Sequence, residues 1–379
     1  MDHSPLNLED FRYELPEHLI AQTPLRDRSG SRLLIRHADG QLQHSMFQHL
    51  PQHLPAGTLL LYNDSRVLPG RLLGQTPHGG KLELMLLRPL TGQGNRWEAL
   101  GRPLRKLNEG LSIHLSSGCI ATVERRVQDS VQPYLEVSFN LEHEAFFDWM
   151  EKEGYIPLPP YIARPDAQSA PASPDRDRYQ TIYANERGSV AAPTAGLHFD
   201  ERMWQALKEA GVETAPVTLH VGGGTFLPVK TNELNAHVMH RETYRLSRHT
   251  FAAIEKALAE KRPIVAVGTT TLRCLESFAL RMRECLDPED LRHEQGVDGL
   301  VDQWQDTQLF LYPRHRTDQY RPWAISGLMT NFHQPESSLL MLVSALVGYE
   351  NMQSIYREAV AQEYRFLSYG DTSLLWLPH

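Results

Sequence analysis

The sequence predicts an α/β (α+β composite) main domain with a small closed β-barrel domain inserted into it. Residues 151–379 alternate apolar strand-like runs with amphipathic helical stretches, the pattern of a sheet covered by helices. Residues 67–150 instead hold short runs of two-residue alternation punctuated by Gly, Ser, Asn and Pro, the pattern of a small barrel. Residues 1–66 are too short to close a domain, and their buried run Thr58–Tyr62 needs a sheet to join. The expected organisation is a discontinuous α/β domain of residues 1–66 and 151–379, interrupted by a β-barrel domain of residues 67–150.

Along the chain, Met46–Leu54 reads as a short amphipathic stretch before the Thr58–Tyr62 strand. In the barrel, Lys81–Leu87, Leu111–Leu115, Ile120–Glu124 and Tyr134–Phe139 read as strands, and Glu142–Lys152 as a helix leading out. Arg164–Arg178, rich in Pro, Ser, Ala and Asp, reads as a mobile surface loop. Asp200 is placed to cap a helix from Glu201 to Ala210 that Gly211 stops. Val212–Val221 and Ile264–Val267 read as strands, the second followed by a helix running to about Glu284. Ala324–Thr330 reads as a strand and Glu336–Val347 as a helix.

The chain has 379 residues, a length for two to three domains and a large core. Its 38 Lys and Arg against 46 Asp and Glu give a net charge of −8, which excludes a protein that coats nucleic acid non-specifically. The mean conceals a local excess: Val67–Gln128 carries nine basic and four acidic residues, a net +5 that leaves −13 elsewhere. A positive barrel on a negative body suits one polyanionic partner met by one face. Cys119, Cys274 and Cys285 form no C-x-x-C pair and are expected to be reduced thiols in a cytoplasmic protein. Met1–Asp10 lacks a signal-peptide pattern, and the longest apolar run, Leu339–Val347, is half the length of a membrane span.

In open α/β sheets ligands bind beyond the carboxyl ends of the strands. Polar or glycine-rich loops follow the predicted strands at Asn63-Asp-Ser-Arg66, Gly222-Gly-Gly-Thr225, Gly268-Thr-Thr-Thr271 and Thr330-Asn-Phe-His-Gln-Pro335. Gly268–Thr271 opens a helix whose free N–H groups suit a carboxylate or phosphate, yet it lacks the Lys of a P-loop. Gly222 and Gly224, between His220 and Thr225, permit backbone approach to a flat ligand. Ala192–Phe199 is a small-residue run in which Thr194 and His198 supply polar groups. His237, His240 and Glu242 fit either a metal site or a base with its orienting partner. No H-E-x-x-H, no G-x-S-x-G and no cysteine beside an activating His is present, which argues against a zinc protease, a serine hydrolase and thiol catalysis.

Taken together these stretches resemble the S-adenosylmethionine:tRNA ribosyltransferase-isomerase family of queuosine biosynthesis. The resemblance runs through Phe11–Pro16, Asn63–Val67, Gly79–Lys81, Pro157–Ile162, Tyr179–Tyr183, Val190–Phe199, Val217–Phe226, Val267–Thr270, Thr330–His333, Leu340–Ala345 and Phe366–Asp371. The chain departs from the family pattern at Arg314, where Gly is usual, at Gln334, where Leu is usual, and in the polar stretch Arg314–Gln319.

The resemblance implies an α/β domain with an inserted barrel, a monomer in the cytoplasm, and no metal or other cofactor, S-adenosylmethionine being a co-substrate. It implies transfer and isomerisation of the ribosyl part of S-adenosylmethionine onto 7-aminomethyl-7-deazaguanine at the wobble position of tRNA, leaving adenine and methionine. His198, His220, His240 and Glu242 are then the candidates for proton transfer. Gly268, Thr269, Thr270 and Arg273 are candidates for the methionine carboxylate. Asn63, Asp64, Asn331 and His333 are candidates for purine edges or ribose hydroxyls, with Asp64 or Asp371 accepting from the guanine-like base. Arg66, Thr194, Gly222, Gly224, Thr225 and Tyr369 complete the expected substrate-binding set. Tyr155, Tyr161, Tyr179 and Tyr183, near Arg164, Arg176 and Arg178, are candidates for stacking on splayed RNA bases. The competing readings are a non-catalytic RNA-binding module, a metallohydrolase and an S-adenosylmethionine-dependent tRNA methyltransferase.

Overall fold

The structure, a computed structural model, describes residues 4–90, 95–128, 133–164, 173–223, 229, 231–285 and 297–378. The chain opens with β1 (Arg32–Arg36), β2 (Leu42–Met46), a short helix α1 (Leu50–His53), β3 (Leu59–Asn63) and β4 (Ser65–Val67). Next come β5 (Arg71–Gln75), β6 (Lys81–Pro89), β7 (Arg96–Arg102), β8 (Ser112–His114), β9 (Ile120–Val127) and β10 (Tyr134–Phe139), then α2 (His143–Glu153). The remainder holds α3 (Asp175–Arg178), β11 (Glu186–Ser189), α4 (Glu201–Glu209), β12 (Glu213–His220), β13 (Glu242–Arg245), α5 (Arg248–Ala259) and β14 (Ile264–Val267). It ends with α6 (Thr269–Cys285), β15 (Gln305–Thr307), β16 (Gly327–Asn331), α7 (Ser338–Val347), α8 (Tyr349–Ala361) and β17 (Thr372–Trp376).

A nine-stranded mixed sheet runs in the order β15-β13-β12-β3-β14-β16-β17-β1-β2. Its centre, β12-β3-β14-β16, is parallel throughout, with Leu59, Leu60, Leu61 and all four residues of β14 buried. Two-residue alternation sorts these side chains onto two cores. Leu59, Leu61, Ile264 and Ala266 pack with α5 to α8, whereas Leu60, Val265, Val267 and Met329 pack with α1, α4 and Phe199. The result is a sheet covered on both faces, as parallel strands require.

The predicted Asp200 cap is present: its side chain accepts from Met203 N at 2.8 Å, and Gly211 follows α4 with φ +76°. The predicted helix after Glu336 begins two residues late, because Ser337 is the residue that caps α7 by accepting from Leu340 N. The short β1 and β2 and the polar β13 and β15 have no strong signature in the sequence, and they fill the two edges of the sheet.

Strands β10-β7-β6-β5-β8-β9 form a closed barrel around Leu84, Trp97, Ala99, Ile113, Val123 and Val137. The strand pattern passes over β5 and β7, whose alternation is broken by Gly74 and Gly101. Helix α2 plugs the end of the barrel nearest the main sheet, stacking Phe146 on Phe139 at 4.0 Å and donating from Trp149 Nε1 to Ser116 O. The crossing back is tight: a Cβ on Gly154 would lie 2.0 Å from Pro69 O, so only glycine fits.

Arg164–Arg178 is corrected in part. Residues 165–172 lie outside the described set, but both ends of the segment are pinned. Arg164 forms a two-pronged ion pair with buried Asp175, which opens α3, and Arg176 pairs with Glu151 of α2. A buried carboxylate with a matching guanidinium overrides a composition that reads as disordered.

Candidate active site

The parallel register of β12, β3, β14 and β16 brings their carboxyl ends to one edge of the sheet, so the loops predicted after them become neighbours. A cleft of about 210 Å³ opens there. Of the expected residues, Thr194, Gly268, Thr269, Thr270, Asn331, His333, Tyr161 and Tyr179 line it.

Gly268 turns the chain from β14 into α6 with φ +89°, a conformation that costs glycine nothing. Its N–H bonds Met329 O at 2.7 Å, tying the turn to the adjacent strand. The first-turn N–H groups of a helix have no intrahelical acceptor, and those of α6 begin at the cleft lining. Helix α7 starts at the same cleft, with Ser337 and Ser338 in its wall. Among the described lining residues there is no Lys and no Arg. Such a wall donates hydrogen bonds to an anion while placing no cationic side chain against a positively charged ligand.

On the other side stand Asn331, His333, Tyr161 and Ser368. Asn331 Nδ2 donates to Leu367 O at 3.0 Å. His333 Nε2 lies 2.9 Å from Thr330 Oγ1, and burial pushes its pKa down to about 3, so the ring is neutral near pH 7. Its backbone is held on both sides: its N–H donates to Tyr356 Oη, and Tyr13 Oη donates to its carbonyl. Tyr161 Oη and Ser368 Oγ share a hydrogen bond of 2.6 Å. Glu336, the one acidic side chain among the described lining residues, is paired with Arg12 at 2.9 Å.

The four proton-transfer candidates lie off the cleft lining. His198 is buried behind Asn331, with Nδ1 2.8 Å from Ser31 Oγ, and burial lowers its pKa to about 4. His220 holds Ser65 Oγ at 2.7 Å and stacks on Trp304, with its pKa brought down to about 4 by burial and then by Arg245. His240 Nε2 contacts Glu242 at 3.1 Å. Glu242 is fully buried against Arg273 and accepts from Gly222 N at 3.0 Å; burial opposes its ionisation, but Arg273, His240 and that N–H outweigh it and hold its pKa near about 2. Arg273 donates to Glu242 and to Leu309 O, and it is not among the described residues that line the cleft. Among the described residues no group of three His, Cys, Asp or Glu is arranged to hold a metal ion, and His237 packs edge-on against Phe310 instead.

Several binding candidates are also structural. Asn63 is fully buried and bonds Leu219 and Ser65. Asp64 accepts from Thr218 Oγ1 at 2.7 Å, and burial raises its pKa. Arg66 pairs with Glu151, fastening α2 to the body. Tyr369 Oη donates to Asp175, and both oxygens of Asp371 accept backbone N–H groups, from Arg32 and Arg365. These contacts give Asp371 a backbone-organising role, and neither it nor Tyr369 is among the described residues that line the cleft. Gly222 abuts Glu242 and His240, while Gly224 and Thr225 lie outside the described residues. Of the stacking candidates, Tyr161 and Tyr179 line the cleft, Tyr155 lies outside its lining where its backbone bridges to β5, and Arg178 donates to the carbonyls of Leu25 and Arg26.

Ser337, Ser338, Glu336 and Ser368 are polar lining residues that were not among the candidates read from the sequence. The signal for the first two was present, since Ser337-Ser338 directly precedes the apolar run of α7 as a helix cap does.

A profile of the family described as "Queuosine biosynthesis protein" matches residues 8–375. The chain belongs to this family. Among its curated relatives, an S-adenosylmethionine:tRNA ribosyltransferase-isomerase of Anaeromyxobacter sp. is 44% identical over 371 residues, covering 98% of this chain and 99% of the relative. The protein of the same name from Dinoroseobacter shibae is 43% identical, covering 98% of each. In the solved structures, an S-adenosylmethionine tRNA ribosyltransferase from Thermotoga maritima aligns over 97% of this chain and 99% of its own, with 28% identity and a TM-score of 0.50. The queuosine-biosynthesis fold is therefore the large mixed sheet with helices plus the six-stranded closed barrel. Family membership agrees with the resemblance read from the motifs. In this member the polar stretch at the Arg314 departure closes on itself through an Arg314–Asp318 ion pair. No helix of the described residues is long and apolar enough to cross a membrane.

Proposed function

We propose that this protein is an S-adenosylmethionine:tRNA ribosyltransferase-isomerase acting on 7-aminomethyl-7-deazaguanine at the tRNA wobble position, with adenine, methionine and epoxyqueuosine-tRNA as products and no metal or other cofactor. The observation that carries the reading is the cleft itself. It offers backbone donors at the starts of α6 and α7 and a row of hydroxyls, with no cationic side chain among the described residues that line it. S-adenosylmethionine is an anion at its carboxylate and a cation at its sulfonium, and such a wall accommodates both.

In this reading the Gly268–Thr270 turn takes the methionine carboxylate. Asn331, Thr194 and the Tyr161–Ser368 pair supply hydrogen bonds to ribose and adenine. Glu336 provides a countercharge to the sulfonium or ammonium. The sulfonium acidifies the hydrogens on the ribose 5′ carbon, so removal of one by a base begins the rearrangement that releases adenine and methionine and turns the ribosyl group into the epoxycyclopentane on the base's amine. Proton transfer then falls to His333 and Glu336, the imidazole and the carboxylate of the described lining. Burial of the cleft limits water, which protects the opened intermediates.

The test is turnover of S-adenosylmethionine with tRNA carrying the aminomethyl base, assayed for adenine and methionine. Adenine and methionine in equal amounts are expected. S-adenosylhomocysteine as product makes the protein a methyltransferase, and tRNA binding with no product makes it a binding module.

A further inference from the structure

The barrel's positive charge is not spread over its surface. Four of its arginines are ion-paired with three carboxylates on its wall: Arg71 with Glu83, Arg88 with Glu98, and Arg96 and Arg125 together with Glu136. Lys81, Arg102, Arg105 and Lys106 have no carboxylate partner among the described residues, and all four are exposed. They share one end of the barrel. Lys81 opens β6 just after the hairpin turn at residues 76–80, and Arg102 closes β7. Arg105 and Lys106 lie in the bend that follows β7. Lys106 Nζ stands 3.4 Å from where a Cβ on Gly80 would be, so the bend and the hairpin tip form one surface. Exposed His78 sits on the same tip.

This rim is the end away from the main domain. The chain enters and leaves the barrel at the other end, where Arg71 bridges to Tyr155 and Leu87 abuts Gly223. The nine residues of β6 span roughly 30 Å at about 3.3 Å per residue. A nucleotide in the cleft leaves this rim far beyond the reach of its own phosphates.

We propose that the rim formed by Lys81, Arg102, Arg105 and Lys106 is a docking surface for duplex RNA phosphates of the substrate tRNA outside its anticodon loop. The inference rests on the function proposed above for the cleft. It adds a second, sequence-independent contact that holds the tRNA body while the wobble nucleotide is engaged.

The experiment compares wild type with the triple variant R102A/R105A/K106A. The substitutions are at exposed positions, and melting temperatures check that both proteins are folded. In steady-state turnover the KM for full-length tRNA rises at least about tenfold, while the KM for S-adenosylmethionine and kcat stay within about twofold. Binding of the same tRNA by fluorescence anisotropy across a salt series gives a log–log slope shallower by about 2–3, as expected for loss of three phosphate contacts. The charge-keeping variant R102K/R105K retains wild-type KM. The control K208A/K256A, at the opposite end of the parallel strands, also retains it. An unchanged tRNA KM and salt slope in the triple variant overturns the proposal, as does an equal rise in the control. If wild type releases no adenine, the functional reading fails, yet the anisotropy slope still decides whether the rim binds RNA. Selective binding of an acidic protein in place of tRNA would also overturn it.

Discussion

Asn63 Nδ2 donates to Thr270 Oγ1 at 3.2 Å, tying the end of β3 directly to the first turn of α6. The same amide donates to Leu219 O at 2.9 Å, and its oxygen accepts from Ser65 N and Leu219 N. One buried side chain thus sets the relative position of β3, β12 and the helix that begins at the cleft. Asn63→Ala should lower stability by about 3 kcal/mol, since it orphans several buried partners. Because it also frees the α6 start, the KM for S-adenosylmethionine should rise. Urea unfolding and steady-state kinetics measure the two effects separately.

Arg273 and Glu242 form the buried charge pair beside this joint. Glu242→Gln leaves Arg273 uncompensated and should cost about 3–5 kcal/mol. The pair also has an acid limit. The folded Glu242 pKa is about 2, below its ordinary 4.5, so its contribution is fully present above pH 4.5 and is lost as pH falls from there towards 2. The urea midpoint of the wild type should fall through that window, and that of the variant should fall less.

Histidines dominate a higher window. The rings of His198, His220 and His333 are held neutral, with pKa values pushed to about 4, about 4 and about 3 from an ordinary 6.5. The unfolded chain binds protons at these rings where the folded one does not. Stability is therefore full above pH 6.5 and declines as pH falls through 6.5 towards the folded values. His220→Gln should flatten the loss of urea midpoint between pH 7 and pH 5; an unchanged slope would show that His220 is not linked to folding.

The cleft and its surroundings separate by mutation. His333→Ala should reduce kcat/KM by about 100-fold or more under conditions where urea unfolding shows the variant, though destabilised by loss of a buried ring, still folded. His240→Ala, which removes a ring that touches Glu242 away from the cleft, should leave turnover within about threefold. The opposite ranking would return proton transfer to His240.

Gly268 makes the turn proposed to take the methionine carboxylate, with φ +89°. A Cβ there meets Ala195 at 3.6 Å, an ordinary contact, so the strain of Gly268→Ala is torsional and costs about 1–2 kcal/mol. If the chain relieves it by rotating the turn, the N–H groups of Thr269 and Thr270 swing away. The KM for S-adenosylmethionine should then rise more than kcat falls.

Motifs were legible wherever local chemistry dictates local shape. Asp200 capping α4, glycine turning into α6, the four-residue buried run of β14 and the closed alternation of the barrel all follow from side-chain period and backbone preference. The cleft was legible through its loops, because strand ends in a parallel sheet share an edge. The roles of single polar residues were not. Asp371, His198 and Glu242 look like chemistry in a sequence, but whether an acceptor is free depends on which distant groups fill it. Arg32, Ser31 and Arg273 do so from elements far along the chain.

Charge divides in the same way. The sequence alone determines that Val67–Gln128 carries an excess of five positive charges on a chain of net −8. Only the tertiary structure decides where that excess is felt. Strand pairing sets Glu83, Glu98 and Glu136 beside Arg71, Arg88, Arg96 and Arg125 and offsets most of their charge, while the turns at the far rim leave Lys81, Arg102, Arg105 and Lys106 without such partners among the described residues. Opposite charges in register neutralise one another within a few ångströms, and a field that reaches another molecule comes from the charges the fold leaves uncancelled.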